Sequence, residues 1–179
     1  MAKHRTTFRK ACDNIEAESR RQCKLIYSAT ALALFRHWNK GQLTILRLFE
    51  VSKTIWQECA ATNQLSMPQI CENETGIEVQ CGDGKSWHDL PYLNATLNTA
   101  HMSNAQWVYM KQQQLKWIAP GIVACLITAL HRKYGFGPER CARIYRQIQD
   151  IEAEYSMNPK RLMQACVDET GINIVEVFT

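Results

Sequence analysis

The absences in this sequence narrow its chemistry before any of its patterns are read. No Cys-x-x-Cys pair occurs among its eight cysteines, so the usual spacing of metal-binding and redox thiols is missing. The Met-Ala-Lys-His-Arg start is followed by no apolar stretch, and a secretory leader is therefore not expected. Free buried thiols in a reducing cytoplasm follow as the expectation, and the Asn73 and Asn94 sequons are then silent. The longest apolar run, Trp117 to Leu130, falls short of the ~20 residues that span a bilayer and contains Pro120 and Gly121. It reads as a buried helix, and no membrane partner is expected. Gly84-Lys85-Ser86 resembles the end of a phosphate-binding loop, but that loop needs a glycine five residues before the Gly-Lys pair, and position 79 is valine. His4, His37, His88, His101 and His131 have no cysteine or histidine at ligand spacing. Cys71 and Cys81 with His88 could be gathered by a fold into a metal site, but no motif spacing favours it. No Ser-His-Asp, Cys-His or paired-carboxylate arrangement can be nominated. No catalytic residue, cofactor or metal is therefore expected, and the protein is read as a non-enzyme.

What is present is a repeat. Ala33-Leu34-Phe35-Arg36-His37-Trp38 runs in register with Ala129-Leu130-His131-Arg132-Lys133-Tyr134, and Arg47-Leu48-Phe49 with Arg143-Ile144-Tyr145. After a one-residue slip, Cys71-Glu72-Asn73-Glu74-Thr75-Gly76-Ile77 matches Cys166-Val167-Asp168-Glu169-Thr170-Gly171-Ile172. Roughly a quarter of about 50 aligned positions are identical, with a period near 95 residues. The expected fold is mainly α, with internally duplicated helical units about a pseudo-two-fold axis and a minor short-stranded β element. The expected organisation is a first helical repeat over 1–81 with a basic N-terminal helix, an irregular connection over 82–102, and a second repeat over 103–179 ending in a strand.

Helical spacing of Phe8, Cys12, Ile15, Cys23, Ile26, Ala29 and Ala33 predicts a long helix over about 7–38, ended by Asn39-Lys40-Gly41. Helices over about 42–61 and 66–73 follow, the latter stopped at Thr75-Gly76. Ile77 to Cys81 alternates with period two and reads as a strand. In the second copy Ser103 caps a helix through Trp117, and Pro120 either kinks it or starts the next. Gly135-Phe136-Gly137-Pro138 makes a turn into a helix whose inner face is Cys141, Ile144, Tyr145, Ile148, Ile151 and Tyr155. Asn158-Pro159 opens a short helix, Thr170-Gly171 closes it, and Ile172-Asn173-Ile174 starts a final strand. A hairpin turn is expected at Asp83-Gly84.

Composition is that of a soluble globular chain, at 46% hydrophobic and 21% charged, and the formal charge is only +4. The distribution says more than the total. Arg5, Arg9, Lys10, Arg20 and Arg21 crowd the start, and Arg36, Lys40 and Arg47 in the first copy correspond broadly to Arg132, Lys133, Arg140 and Arg143 in the second. A helix, a tight turn and a second helix opening with arginine can present guanidinium groups to phosphate. The competing reading is a solvated helical face with intrahelical ion pairs. Trp87, in the irregular connection beside His88 and Tyr92, can anchor a partner or pin its loop.

The segment Ala129-Leu130-His131-Arg132-Lys133-Tyr134-Gly135-Phe136-Gly137-Pro138-Glu139-Arg140 resembles small proteins encoded by phages and mobile elements of gut Firmicutes, among them a family of type II-A anti-CRISPR proteins. The resemblance is best over 120–176; the first copy departs from it with Asn39-Lys40-Gly41 in place of the Gly-Phe-Gly turn. It implies a cytoplasmic inhibitor, in the bacterial host, of a type II-A RNA-guided nuclease, bound together with its guide RNA. DNA contact and homodimerisation are further expectations. Net basic charge argues against simple DNA mimicry. The alternative is a phage DNA-binding or regulatory protein built on paired helix-turn-helix-like units.

Overall fold

The computed structural model describes residues 2–62, 66–80, 86, 88 and 102–177. Among these residues seven helices follow one another: α1 (Ala2–Trp38), α2 (Gln42–Thr62), α3 (Met67–Thr75), α4 (Asn104–Tyr134), α5 (Pro138–Glu154), α6 (Pro159–Thr170) and the single turn α7 (Ile174–Val177). The mainly α expectation holds.

Local sequence explains most of the helix ends. Ser66 caps α3, its hydroxyl accepting from the Gln69 amide at 3.4 Å. Ser103 and Gln106 form a reciprocal capping box at the start of α4. Asn158 caps α6 by accepting from the Arg161 amide at 3.2 Å, with Pro159 at the first helical position, where its missing N–H costs nothing. Gly76 and Gly171 close α3 and α6 in the left-handed conformation, at φ 71° and 72°, where a Cβ would be penalised.

Two expectations are corrected. Of the two alternatives at Pro120, a kink or a new helix, the new helix is excluded: α4 runs through it without a break. One lost backbone hydrogen bond is outweighed there, because every residue from Pro120 to Leu130 is buried and leaving the helix would expose that segment's polar backbone to the core. The two strands are also absent among the described residues, where the one β feature is an isolated antiparallel bridge between Gln80 and Ser86. The hairpin residues Asp83-Gly84 between them lie outside the described residues. The period-two pattern is real but serves the helical core. Val79, Ile172 and Ile174 are each at most 2% exposed, so the alternation marks inward side chains of an extended tail. Its amides are met by the helix instead of by a strand: the Thr75 hydroxyl accepts from Ile77 at 3.3 Å and the Thr170 hydroxyl from Ile172 at 3.2 Å. Asn173 then starts α7 by accepting from the Val175 amide at 3.1 Å while binding Glu176, a cap signal that overrides the β pattern.

The core forms around α1 and α4. These helices run side by side in the same direction, since Phe8 meets Trp107 near both N-termini and Leu34 and Leu130 border one crevice near both C-termini. Residues 26–34 of α1 and 120–130 of α4 are buried on all sides, which requires cover all round. Cover for α4 comes from α2 and α3, and cover for α1 from α5 and α6. Each long helix is thus wrapped by the short helices of the other half of the chain. Contact between α1 and α2 is slight and centres on Tyr27, which meets Phe49 edge-on at 4.7 Å and shares a hydrogen bond with Ser52. By length and composition α4 could cross a membrane, but 67% of its apolar window is buried inside the protein.

Candidate nucleic-acid interface

Before they enter the core, α1 and α4 form a two-helix arm, comprising about residues 2–24 and 104–117. Phe8 and Trp107 join them edge to face, with ring centroids 5.6 Å apart. The Lys111 ammonium lies 5.6 Å from the Trp107 ring centroid, within cation–π range. Tyr109 is 60% exposed. Those two segments hold nine Lys and Arg against three Asp and Glu, whereas over the rest of the chain acids outnumber bases. The entire positive balance of the protein therefore sits on the arm. The helix dipoles add to it, because both N-termini lie at the arm's outer end.

Part of that charge is internally spent. Arg20 pairs with Glu16, and Arg21 grips Glu18 through Nε and Nη2, both at 2.9 Å. The Arg21 guanidinium holds the Glu18 carboxyl below the usual carboxylate range. Arg9 and Lys10 project outward with no acidic partner among the described residues, and so does Lys116. Arg5 lies in the helical backbone of the arm, but its side chain is outside the described residues, as is Trp87 altogether.

The remaining basic candidates stand at the opposite end of α1 and α4, around the interhelical turns, and most are bound to neighbours. Arg36 forks onto Glu169 at 2.6 and 2.8 Å and also reaches Glu154 at 3.2 Å and the Tyr155 hydroxyl at 3.1 Å. That contact raises the Arg36 pKa and holds the Glu169 carboxyl down. Arg132 grips Glu74 in the same way, at 2.9 and 2.5 Å, and lowers its pKa. Arg140 sits 6.0 Å from the Phe136 ring and Arg143 5.9 Å from the Trp38 ring, while those two rings stack at 4.8 Å. Lys40 is half-buried beside Leu34, Thr44 and Tyr134. Arg47 and Lys133 are exposed. The eleven candidates whose side chains are described thus do not form one surface. The turn-end arginines brace the two halves, and the arm residues face solvent.

Lys111, Lys116 and Trp107 escaped the sequence reading of this site. They lie about ninety residues from the basic N-terminus, and only the parallel pairing of α1 and α4 joins them to it.

Among the described residues no three His, Cys, Asp or Glu side chains gather as metal ligands. Cys71 is buried and bonded to Thr75 at 3.6 Å, while His88 pairs with Glu72 at 3.0 Å; Cys81 lies outside the described residues. The seven described cysteines carry free thiols, and burial pushes Cys141 up to about 11 and Cys125 further still, which disfavours the reactive thiolate at those two. A half-open cavity of about 350 Å³ lies between α1, α2 and α4, walled by Tyr27, Trp56, Ile118 and Ile122. Trp56 lies against Gly121, where a Cβ would come within 2.9 Å of its ring, so this tryptophan is a surface wall and not core. The chain matches no protein-family model, no curated protein and no solved structure.

Proposed function

We propose that this protein acts by binding, and that its basic two-helix arm docks on the phosphate backbone of a nucleic-acid-containing partner in the bacterial cytoplasm. The observation that carries the proposal is the segregation of charge: the arm holds all of the net positive charge, with Arg9, Lys10 and Lys116 unpaired by acids among the described residues, while Arg36 and Arg132 at the other end are tied into Glu74, Glu154 and Glu169. Phosphate contact from exposed lysine and arginine releases counterions and gives a salt-dependent affinity. Tyr109 and Lys111 add an aromatic and a cation suited to stacking on unpaired bases. The resemblance of residues 129–140 to anti-CRISPR proteins supplies the candidate partner, a guide-RNA-loaded type II-A nuclease whose target engagement or activating rearrangement is obstructed.

A plain DNA-binding regulator is the second reading, favoured by the same charge but by a different route from helix-turn-helix docking. The helices flanking the turn at residues 39–41 both pack on α4 and touch each other only slightly, so they do not form a self-contained helix-turn-helix unit.

We further infer that the two halves are duplicates. Support comes from matched details at aligned positions: Arg36–Glu169 and Arg132–Glu74, and Thr75 on the Cys71 carbonyl at 2.7 Å against Thr170 on the Cys166 carbonyl at 2.6 Å.

The deciding experiment is a titration of the purified protein against bare duplex, guide RNA and the loaded nuclease, with target cleavage read in parallel. Loss of cleavage with binding to the loaded nuclease upholds the inhibitor. Steeply salt-dependent binding to bare duplex, with cleavage untouched, upholds the regulator. No binding to any of the three at low salt overturns the arm's role.

A further inference from the structure

We infer that the surface each half offers the other also fits a second copy of this chain, so that two chains exchange halves and close into a dimer. The inference rests on packing and is independent of the arm's ligand. Nearly all contact between helices runs between residues 2–80 and 102–177: α1 packs on α4, α5 and α6, and α4 packs on α2 and α3. One apolar cluster is built alternately from both, with Leu32, Phe49 and Val79 from the first half beside Leu126, Ile148 and Ile172 from the second. The clasps cross in the same sense, Arg36 to Glu169 and Arg132 to Glu74, as do the bond from the Trp38 indole to Gln147 at 2.7 Å and that from Gln42 to the Gly171 carbonyl at 3.0 Å.

Neither half can cover its own long helix. Every one of these contacts is satisfied equally when the complementary half belongs to another chain, because none of them involves the connection between the halves. Exchanging identical elements between protomers builds a dimer from interfaces the monomer already has. What favours closure within one chain is the tether of about 20 residues, which sets an effective concentration on the order of millimolar. The closed monomer therefore prevails when dilute chains fold, and exchange prevails when crowded ones do. Once formed, the dimer persists on dilution, because leaving it requires opening the shared core.

The test uses the full-length chain. One variant reverses the clasp residues of the first half, Arg36→Glu with Glu74→Arg; the other reverses those of the second, Arg132→Glu with Glu169→Arg. Alone, each faces like charges across both clasps, whether closed or exchanged with itself. Unfolded and refolded together, they restore opposite charges between positions 36 and 169 and between positions 74 and 132 only by exchanging halves with each other. The expected result is a species of twice the chain mass containing both variants in equal amount, read by light scattering and intact mass. A chain carrying all four reversals is expected to refold as a monomer and shows that the reversed clasps are tolerated. Wild-type chain refolded from micromolar to millimolar concentration is expected to give a rising doubled-mass fraction that survives dilution. Mixed refolding without a heterodimer, together with a purely monomeric wild type at every concentration, overturns the inference.

Discussion

Replacing Thr170 by valine removes one oxygen and leaves the shape of the site intact. That oxygen donates to the Cys166 carbonyl at 2.6 Å and accepts from the Ile172 amide at 3.2 Å. The Cys166 carbonyl keeps its place in the helix ladder, but the Ile172 amide loses its bond at a residue only 1% exposed. A buried donor left without a partner costs about 1–3 kcal/mol, so Thr170→Val is expected to destabilise the protein by about 2 kcal/mol. The equivalent Thr75→Val orphans the amide of Ile77, which is half-buried and can recruit water, so its cost is expected to be about 1 kcal/mol. Equilibrium urea unfolding followed by circular dichroism measures both. Thermal midpoints should fall by roughly 4–8 °C and 2–4 °C in a chain of this length. A Thr170→Val protein within about 0.5 kcal/mol of wild type, or a larger loss at position 75, would refute the claim that these hydroxyls replace strand pairing at the two tails.

Burial pushes the half-buried Glu152 carboxyl up to about 7. Its folded-state pKa is raised, so the fold is favoured while this group is protonated and loses about 1–3 kcal/mol as pH climbs from near 4.5 through 7; Glu152→Gln should remove that decline and stabilise the protein at pH 8 in pH-resolved urea titrations. Glu74 and Glu169 act oppositely, since arginine holds both low: their contribution is present above the ordinary carboxylate range and is lost as acid protonates them. Ile148→Ala, at a side chain with no exposure, should cost about 2–5 kcal/mol by the same unfolding assay. A thiol reagent at pH 8 should modify half-buried Cys12 well before Cys125, which is 1% exposed; peptide mapping shows the order. Arg9→Gln and Lys10→Gln should each reduce the salt slope of nucleic-acid binding by about one, with stability unchanged within about 0.5 kcal/mol.

Much of the helical framework was legible because its signals are local. Ser66, Ser103 and Asn158 announce helix starts, Gly76 and Gly171 announce ends, and the inner face expected for α5 is the one whose Cys141, Ile144, Ile148 and Ile151 are buried. Where the reading failed, a local rule met a stronger tertiary one. Pro120 breaks helices in water, but here the turns that follow it are enclosed. The alternation around Val79 and Ile172 looks like a strand, but a threonine hydroxyl already satisfies the amide that a neighbouring strand would have taken. Arg36 and Arg132 look like phosphate ligands until their carboxylate partners arrive from more than fifty residues away.

The sequence by itself determined the helical class, the places where most helices start and stop, the repeat and the basic start. Those follow from side-chain chemistry acting over a few residues. Only the tertiary structure decided which helices touch. It wrapped each long helix in the other half's short ones, bound Arg36 and Arg132 into clasps, and set Lys111 and Lys116 beside the basic stretch of α1 to complete the arm. Burial of two helices on all sides is a demand that no single stretch of chain can meet, and the partner that meets it lies beyond the reach of any local pattern.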